Sequence, residues 1–256
     1  MKLKLVFIGV QIIIFTSILH SQADKGYLAQ GDEFTAKFDN LGAVNSYDEA
    51  YKISPNSYEV LTRITLAYND EGEELLNLRK KDEAEKYIDQ GIRYAEILQK
   101  KFPDSALSYT YLALTYGNMA IFKGGKDKIR YADKVRQNAL KAIKMNPDNY
   151  FPYIILGMYY REAAGLTWYQ KIFAKTFLGG VPEGTYQQSI QMFDKALSLD
   201  SNLIVADYQL SKTYRNMGEK DQEINLLKKV LTMHIRNFRD KYAIIKAKHQ
   251  LEKLMN

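Results

Sequence analysis

Cysteine is absent from all 256 residues. That single absence removes a disulfide framework, a thiolate metal site, a cysteine nucleophile and a lipoprotein-type lipid anchor together. Histidine is nearly absent too. His20, His234 and His249 are its only occurrences, and none has HExxH-like spacing, so the sequence predicts no metal site and no cofactor. No P-loop is present: FKGGKDKIR lacks both the leading glycine spacing and a Ser or Thr after the lysine. GGVPEG contains no GxGxxG. At no motif do a nucleophile, a base and an orienting group come together, so no enzyme is expected. The acidic run Asp70, Glu71, Glu73, Glu74 is read as solvated charge at a hairpin tip rather than as a cation site.

What is present is helix-forming and mildly basic. Apolar residues make up 46% of the chain and aromatics 12%, enough for a sizeable core. The opening segment MKLKLVFIGVQIIIFTSILHSQADKG sets Lys2 and Lys4 before an apolar run from Leu5 to Leu19, with small and polar residues around Ser21. This is the layout of a signal peptide over residues 1–21, with the mature chain starting near Gln22 and residing in the periplasm or outside the cell. A retained membrane anchor is the alternative, although fifteen apolar residues fall short of the ~20 that span a bilayer. The net charge of +6 becomes +4 without the two leader lysines, which does not by itself call for nucleic acid.

Beyond the leader, residues 22–256 carry helical periodicity broken by four similar punctuations, KISPNSYEV, KKFPDSALS, KMNPDNYFP and LSLDSNLIV, three of them around a proline. After each comes a helix whose matching positions are Leu61, Ile64 and Tyr68; Tyr109, Leu112, Ala113 and Tyr116; Tyr153, Leu156, Gly157 and Tyr160; Asp207, Leu210, Ser211 and Tyr214. Small or apolar residues such as Ala43, Tyr47 and Ala50, Val135, Ala139 and Ala142, and Ser189, Phe193 and Ala196 mark the helices that precede the breaks. These are the positions of a tetratricopeptide repeat (TPR), so the expected fold is all-α: a TPR-like α-α superhelix (solenoid) with lengthened helical hairpins and a C-terminal capping helix. The tyrosine markers lie 48 (68 to 116), 44 (116 to 160) and 54 (160 to 214) residues apart. Against about 34 in the ordinary repeat, this predicts lengthened hairpin tips.

One insertion, at about 165–186, holds the chain's single tryptophan: GLTWYQKIFAKTFLGGVPEGTY. On a helical wheel Trp168, Tyr169, Ile172, Phe173, Thr176 and Phe177 share one broad half, with Lys171 and Lys175 on the other. Such an apolar half is expected to dock on the solenoid as structural filling, or to serve as a lid in which Trp168, Phe173 and Phe177 meet a ligand and Lys171 and Lys175 face anions. The long repeats and the residues Gly157, Tyr159, Tyr160, Leu166, Trp168, the run from Ala174 to Leu178, Pro182, Thr185, Ala196, Leu197 and Asp200 resemble the regulator of microtubule dynamics family, a TPR-like family with bacterial as well as animal members. The resemblance runs from about residue 30 to the C-terminus, and the chain is identified as a bacterial exported member. It implies a noncatalytic helical domain used in binding. The microtubule role in the family's name does not carry over to a chain with such an export signal.

Repeat register places Asn69, Asn118, Arg161, Tyr208, Lys212 and Arg215 on the concave face as candidate partner-binding residues, basic toward the C-terminus. Two runs, Lys123 to Lys144 with eight cations against two Asp and Lys228 to Lys248 with seven against one, are read mainly as solvated faces. The expected function is a scaffold that binds another protein in the cell envelope. The alternative is a carrier or sensor of an acidic lipid or other apolar ligand in the groove; nucleic acid is not an expected partner.

Overall fold

The computed structural model describes residues 24–123, 125–177 and 180–255, the side chains of residues 125, 126, 168, 169, 173 and 177 excepted. The expected leader therefore lies outside the described residues, as do the side chains of Trp168, Phe173 and Phe177. Twelve helices are described: α1 (24–36), α2 (Asn40–Ile53), α3 (Tyr58–Asn77), α4 (Lys81–Lys101), α5 (Ala106–Lys123), α6 (Gly125–Met145), α7 (Phe151–Ala164), α8 (Trp168–Phe177), α9 (Tyr186–Leu199), α10 (Ile204–Met217), α11 (Lys220–Val230) and α12 (Phe238–Met255). The chain is an all-α TPR-like superhelix.

Local chemistry sets the helix ends. Asp39 accepts from the Gly42 amide at 2.8 Å. Ser57 accepts from Val60, and Thr185 with Gln188 closes a reciprocal capping box at the start of α9. Helices α1, α3 and α10 end alike, with the amide of the residue after the left-handed position bonding five residues back: Asp39 to Phe34, Lys80 to Leu75 and Glu219 to Tyr214. The left-handed residue is Gly218 at the end of α10, but Phe38 and Arg79 at the other two, with φ of 61° and 63°.

The lengthened hairpins take their extra length as helix in the first two long repeats, and as the α8 insertion in the third. The hairpin α3–α4 joins helices of 20 and 21 residues, α5–α6 joins helices of 18 and 21, and only residues 78–80 separate α3 from α4. Tertiary packing rewards this: a longer amphipathic helix buries more surface against its partner, whereas a longer loop would add only disorder to be frozen out.

Hairpin partners cross closely where the sequence has small residues. A β-carbon on Gly157 would stand 2.8 Å from the Phe193 ring, and one on Gly31 would overlap Tyr47. Glycine is required at these two crossings by proximity rather than by backbone angle. Ser189 donates to the Gly157 carbonyl at 2.8 Å and meets the Thr213 hydroxyl at 2.9 Å, so one buried serine ties α7, α9 and α10. The marker tyrosines reach back to an acid of the preceding hairpin: Tyr68 donates to Asp48 at 2.7 Å and Tyr116 to Glu96 at 2.8 Å. Apolar clusters pass the core from one hairpin to the next, from Val44, Tyr47 and Ile64 through Ala113, Leu156 and Tyr159 to Ile204, Leu227 and Ala247.

Candidate functional site

The first helices of the hairpins, α3, α5, α7 and α10, form the inner row, and each packs on the next. Helix α12 continues the row. Ala243 and Ala247 sink against α10 and α11 beside Ile204, Tyr208, Leu227 and Val230. It then reaches across to α3, 166 to 169 residues earlier in the chain. Arg239 pairs with Asp70, and its Nε donates to Glu73 at 2.9 Å. One turn on, the Tyr242 hydroxyl donates to Glu74 at 3.0 Å, and a turn further the Lys246 ammonium donates to Asn77. Side-chain contacts thereby close the inner row into a ring of helices, α3, α5, α7, α10 and α12.

The wall contributed by α3 is acidic and sunk. Asp70 and Glu71 are 6% and 8% exposed, which corrects the reading of this run as solvated hairpin-tip charge. It lies inside the last turns of α3, where the long helix carries it against α12 and α4. Burial pushes the Asp70 carboxyl up to about 6, although the Arg239 guanidinium pulls the other way. Burial first, and then Glu74 and Asp39 nearby, push Glu71 up to about 7. Glu74 accepts from Asn40 at 2.6 Å as well as from Tyr242.

The wall contributed by α7 and α10 is basic. Arg161 is 1% exposed; its Nη1 donates to the carbonyl oxygen and Oε1 of Gln209, both at 3.0 Å, and Glu162 lies 3.6 Å away. Burial lowers its pKa. Lys212 is half-buried beside Arg161, Lys246 and Arg215, with Glu162 the one carboxylate nearby. Burial and then Arg161 depress it to about 8. Arg215 donates through Nε to the buried Glu223 at 2.6 Å, but its Nη2 is buried with no acceptor among the described residues.

The structure thus brings Arg161, Tyr208, Lys212 and Arg215 together on α7 and α10. Asn118 donates to Asn69 at 2.9 Å in a separate buried pair between α5 and α3. Asp70, Glu73, Arg239 and Tyr242 were missed by sequence reasoning. The available signal was a pair of stripes: Arg239, Tyr242 and Lys246 at i, i+3 and i+7, and Asp70, Glu73, Glu74 and Asn77 at i, i+3, i+4 and i+7.

The insertion forms α8 and an extended stretch through 180–185. Lys171 and Lys175 are exposed, as expected of their face. Ile172, 56% exposed, and Thr176 are also exposed, while Ala174 is fully buried. The docking face among the described side chains is therefore turned toward Ala174, whose small side chain permits close approach. Gly180, Val181, Pro182 and Glu183 cross over α6 at Arg130, Asp133 and Arg136, enclosing a cleft of about 450 Å³ beside Tyr159. A neighbouring apolar pocket of about 100 Å³ lies between α5, α6 and α7, with Lys128 and Glu162, paired at 2.8 Å, on its rim.

Much of the two basic runs is neutralised within the fold. Lys123 pairs with Glu85, Lys128 with Glu162, Arg130 with Asp127, Lys229 with Asp207 and Arg236 with Asp200. Lys134 and Lys141 lie over the rings of Tyr116 and Tyr109. His234 and His249 are exposed. Among the described residues no group of His, Cys, Asp and Glu is arranged to hold a metal ion, and no helix is long and apolar enough to cross a membrane.

Comparison with known proteins agrees with this architecture. Regulator of microtubule dynamics protein 1 of Mus musculus is 25% identical over 218 residues, covering 82% of this chain and 68% of that protein. Regulator of microtubule dynamics protein 2 of Homo sapiens is 24% identical over 222 residues, covering 86% of this chain and 52% of that protein. A thermophilic TPR protein of Thermus thermophilus superposes with a TM-score of 0.65 over 91% of this chain and 99% of its own, at 15% identity. PilF of Pseudomonas aeruginosa superposes with a TM-score of 0.51 over 92% and 90%, at 12% identity. At such identities the solved structures show the fold alone. The sequence profile of regulator of microtubule dynamics protein 1-3 matches residues 27–255, nearly the whole described length, and the chain belongs to that family.

Proposed function

We propose that this protein is a noncatalytic scaffold of the cell envelope that holds an acidic segment of a partner protein against the basic wall of its ring. The TPR-like fold supports a protein-interaction scaffold in general. The observation that carries the finer reading is the surplus of positive charge on α7 and α10. Arg161, Lys212 and Arg215 stand together with a guanidinium nitrogen unsatisfied and an ammonium whose pKa burial, and then Arg161, lower to about 8. A buried polar group without a partner is costly, and a carboxylate-bearing ligand relieves that cost on binding. The microtubule role in the relatives' names is not part of this proposal, since the reading rests on an exported chain.

Lys212→Glu is the variant of choice, because Lys212 makes no ion pair among the described residues that its loss would strand. It should abolish partner capture from envelope extract while leaving the helical circular dichroism intact. Capture equal to wild type would refute the basic wall as the binding surface. Envelope residence is tested separately by the mass of the mature N-terminus, expected near Gln22; a chain beginning at Met1 in membranes would replace export with anchoring. The lipid alternative finds less support: the apolar pocket, about 100 Å³, is well below the roughly 300–1,000 Å³ of small-molecule sites.

A further inference from the structure

The joint between α3 and α12 differs in kind from the other joints of the ring. Neighbouring inner helices share apolar clusters, and α12 is fixed to α10 and α11 by Ala243, Ala247, Ile244, Leu251 and Leu254. Between α12 and α3 no apolar cluster extends among the described residues; the gap is bridged by Arg239, Tyr242 and Lys246 alone. A joint of ion pairs and hydrogen bonds admits another segment of the same charge and register in place of its own, because the carboxylates are then not left stranded, whereas an apolar joint offers no such selective exchange. Solenoids also deform by small rotations summed over all repeats, so a gap at one seam requires no unfolding.

We infer that the α3–α12 seam is the gate of the ring, and that the strip it covers on α3, formed by Asp70, Glu73, Glu74 and Asn77, is a docking site for a basic helix of a partner protein for which α12 is the built-in stand-in. Arg239, Tyr242 and Lys246 display the register such a helix needs: arginine, then a hydrogen-bonding aromatic three residues on, then lysine four beyond. Charge complementarity selects the occupant, since the strip holds three carboxylates and one amide. The gate rests on the scaffold reading only for its biological use; the opening itself is independent of any acidic partner on the opposite wall.

The absence of native cysteine makes the test clean. Leu78→Cys and Ile245→Cys, at exposed positions on either side of the seam, carry spin labels in the full-length chain. Their separation is measured with and without a synthetic peptide of residues 236–255. One short distance is expected for the chain alone, and a longer population should grow as peptide is added. Fluorescently labelled peptide should bind Arg239→Ala at least tenfold more tightly than wild type, because the guanidinium that competes for the strip is gone while the strip's carboxylates remain. It should not bind the Asp70→Asn, Glu73→Gln double variant. A distance unmoved by saturating peptide overturns the gate, and this arm needs no variant of the seam. Equal peptide affinity for wild type and a folded Arg239→Ala overturns the stand-in role. Failure of the scaffold reading is distinguishable, because it leaves the peptide results in place while Lys212→Glu captures partners as wild type does.

Discussion

The two walls of the ring bury charge of opposite sign and treat it differently. On α3, Asp70 and Glu73 receive a guanidinium delivered by α12, and Glu74 receives a phenol and an amide. On α7 and α10, Arg161 donates to the neutral Gln209 with Glu162 at 3.6 Å, Arg215 keeps one guanidinium nitrogen without an acceptor beside its pair with Glu223, and Lys212 finds no ion-pair partner among the described residues. Paired charge holds a structure only while both partners remain, since losing one strands the other in low dielectric. Unpaired charge works against the fold until something outside the fold answers it. The acidic wall is therefore read as a closure and the basic wall as a site.

The largest test of this contrast is Arg239→Ala. It leaves Asp70 and Glu73 sunk without a counter-charge and should lower stability by about 3–5 kcal/mol in chemical denaturation. A loss below about 1 kcal/mol would mean that the acidic wall is solvated and not held by the closure. Glu71→Gln comes next and has the opposite sign. The Glu71 carboxyl, raised to about 7 in the fold from an ordinary value of 4.5, keeps its proton in the native state over a window in which the unfolded chain has released it. Wild-type stability due to this group is present below pH 4.5 and is lost as pH rises to 7. The glutamine variant should thus be more stable by about 2 kcal/mol at pH 8 and equal at pH 4, measured by thermal melts across pH.

Lys212→Met sharpens the comparison from the basic side. The ammonium, depressed to about 8, burdens the fold at neutral pH, so its removal should stabilise by about 1 kcal/mol at pH 7. The gain should shrink between pH 8 and 10.5, where the folded wild type has already released the proton that its unfolded chain still holds. A loss of stability at pH 7 would show that Lys212 has an ion partner after all. The smallest effect is expected at the helix ends: α3 and α10 close with the same hydrogen bonds, but one uses Arg79 and the other Gly218. Arg79→Gly should relieve a left-handed backbone at a side-chain-bearing residue and gain about 0.5 kcal/mol, net of the freedom glycine adds to the unfolded chain.

Most of the helical frame was legible because it rests on local signals. The boundary motifs became caps and turns where expected, and Gly157 and Phe193, matched from repeat positions alone, meet at a crossing. The lengthened hairpins were read from spacing; in α3–α4 and α5–α6 the added length is helix rather than loop, because pairing along a hairpin stabilises further turns that propensity alone cannot, while in the third repeat it is the insertion that holds α8. The insertion was read as an apolar half awaiting a surface, yet Ile172 and Thr176 face solvent and Ala174 is buried. A helical wheel gives the faces but not the direction of the neighbour.

Residue order determined by itself the repeat, its helix ends, its close crossings and the positive charge gathered on α7 and α10, since each depends on spacings shorter than two turns or on one recurring register. Tertiary structure alone decided that the ring closes, that Asp70 and Glu71 are sunk, and that Arg239 finds its partners 166 and 169 residues away. The reason is geometric: closure depends on the small rotation at every hairpin crossing summed around the superhelix, and no local pattern of residues encodes that sum.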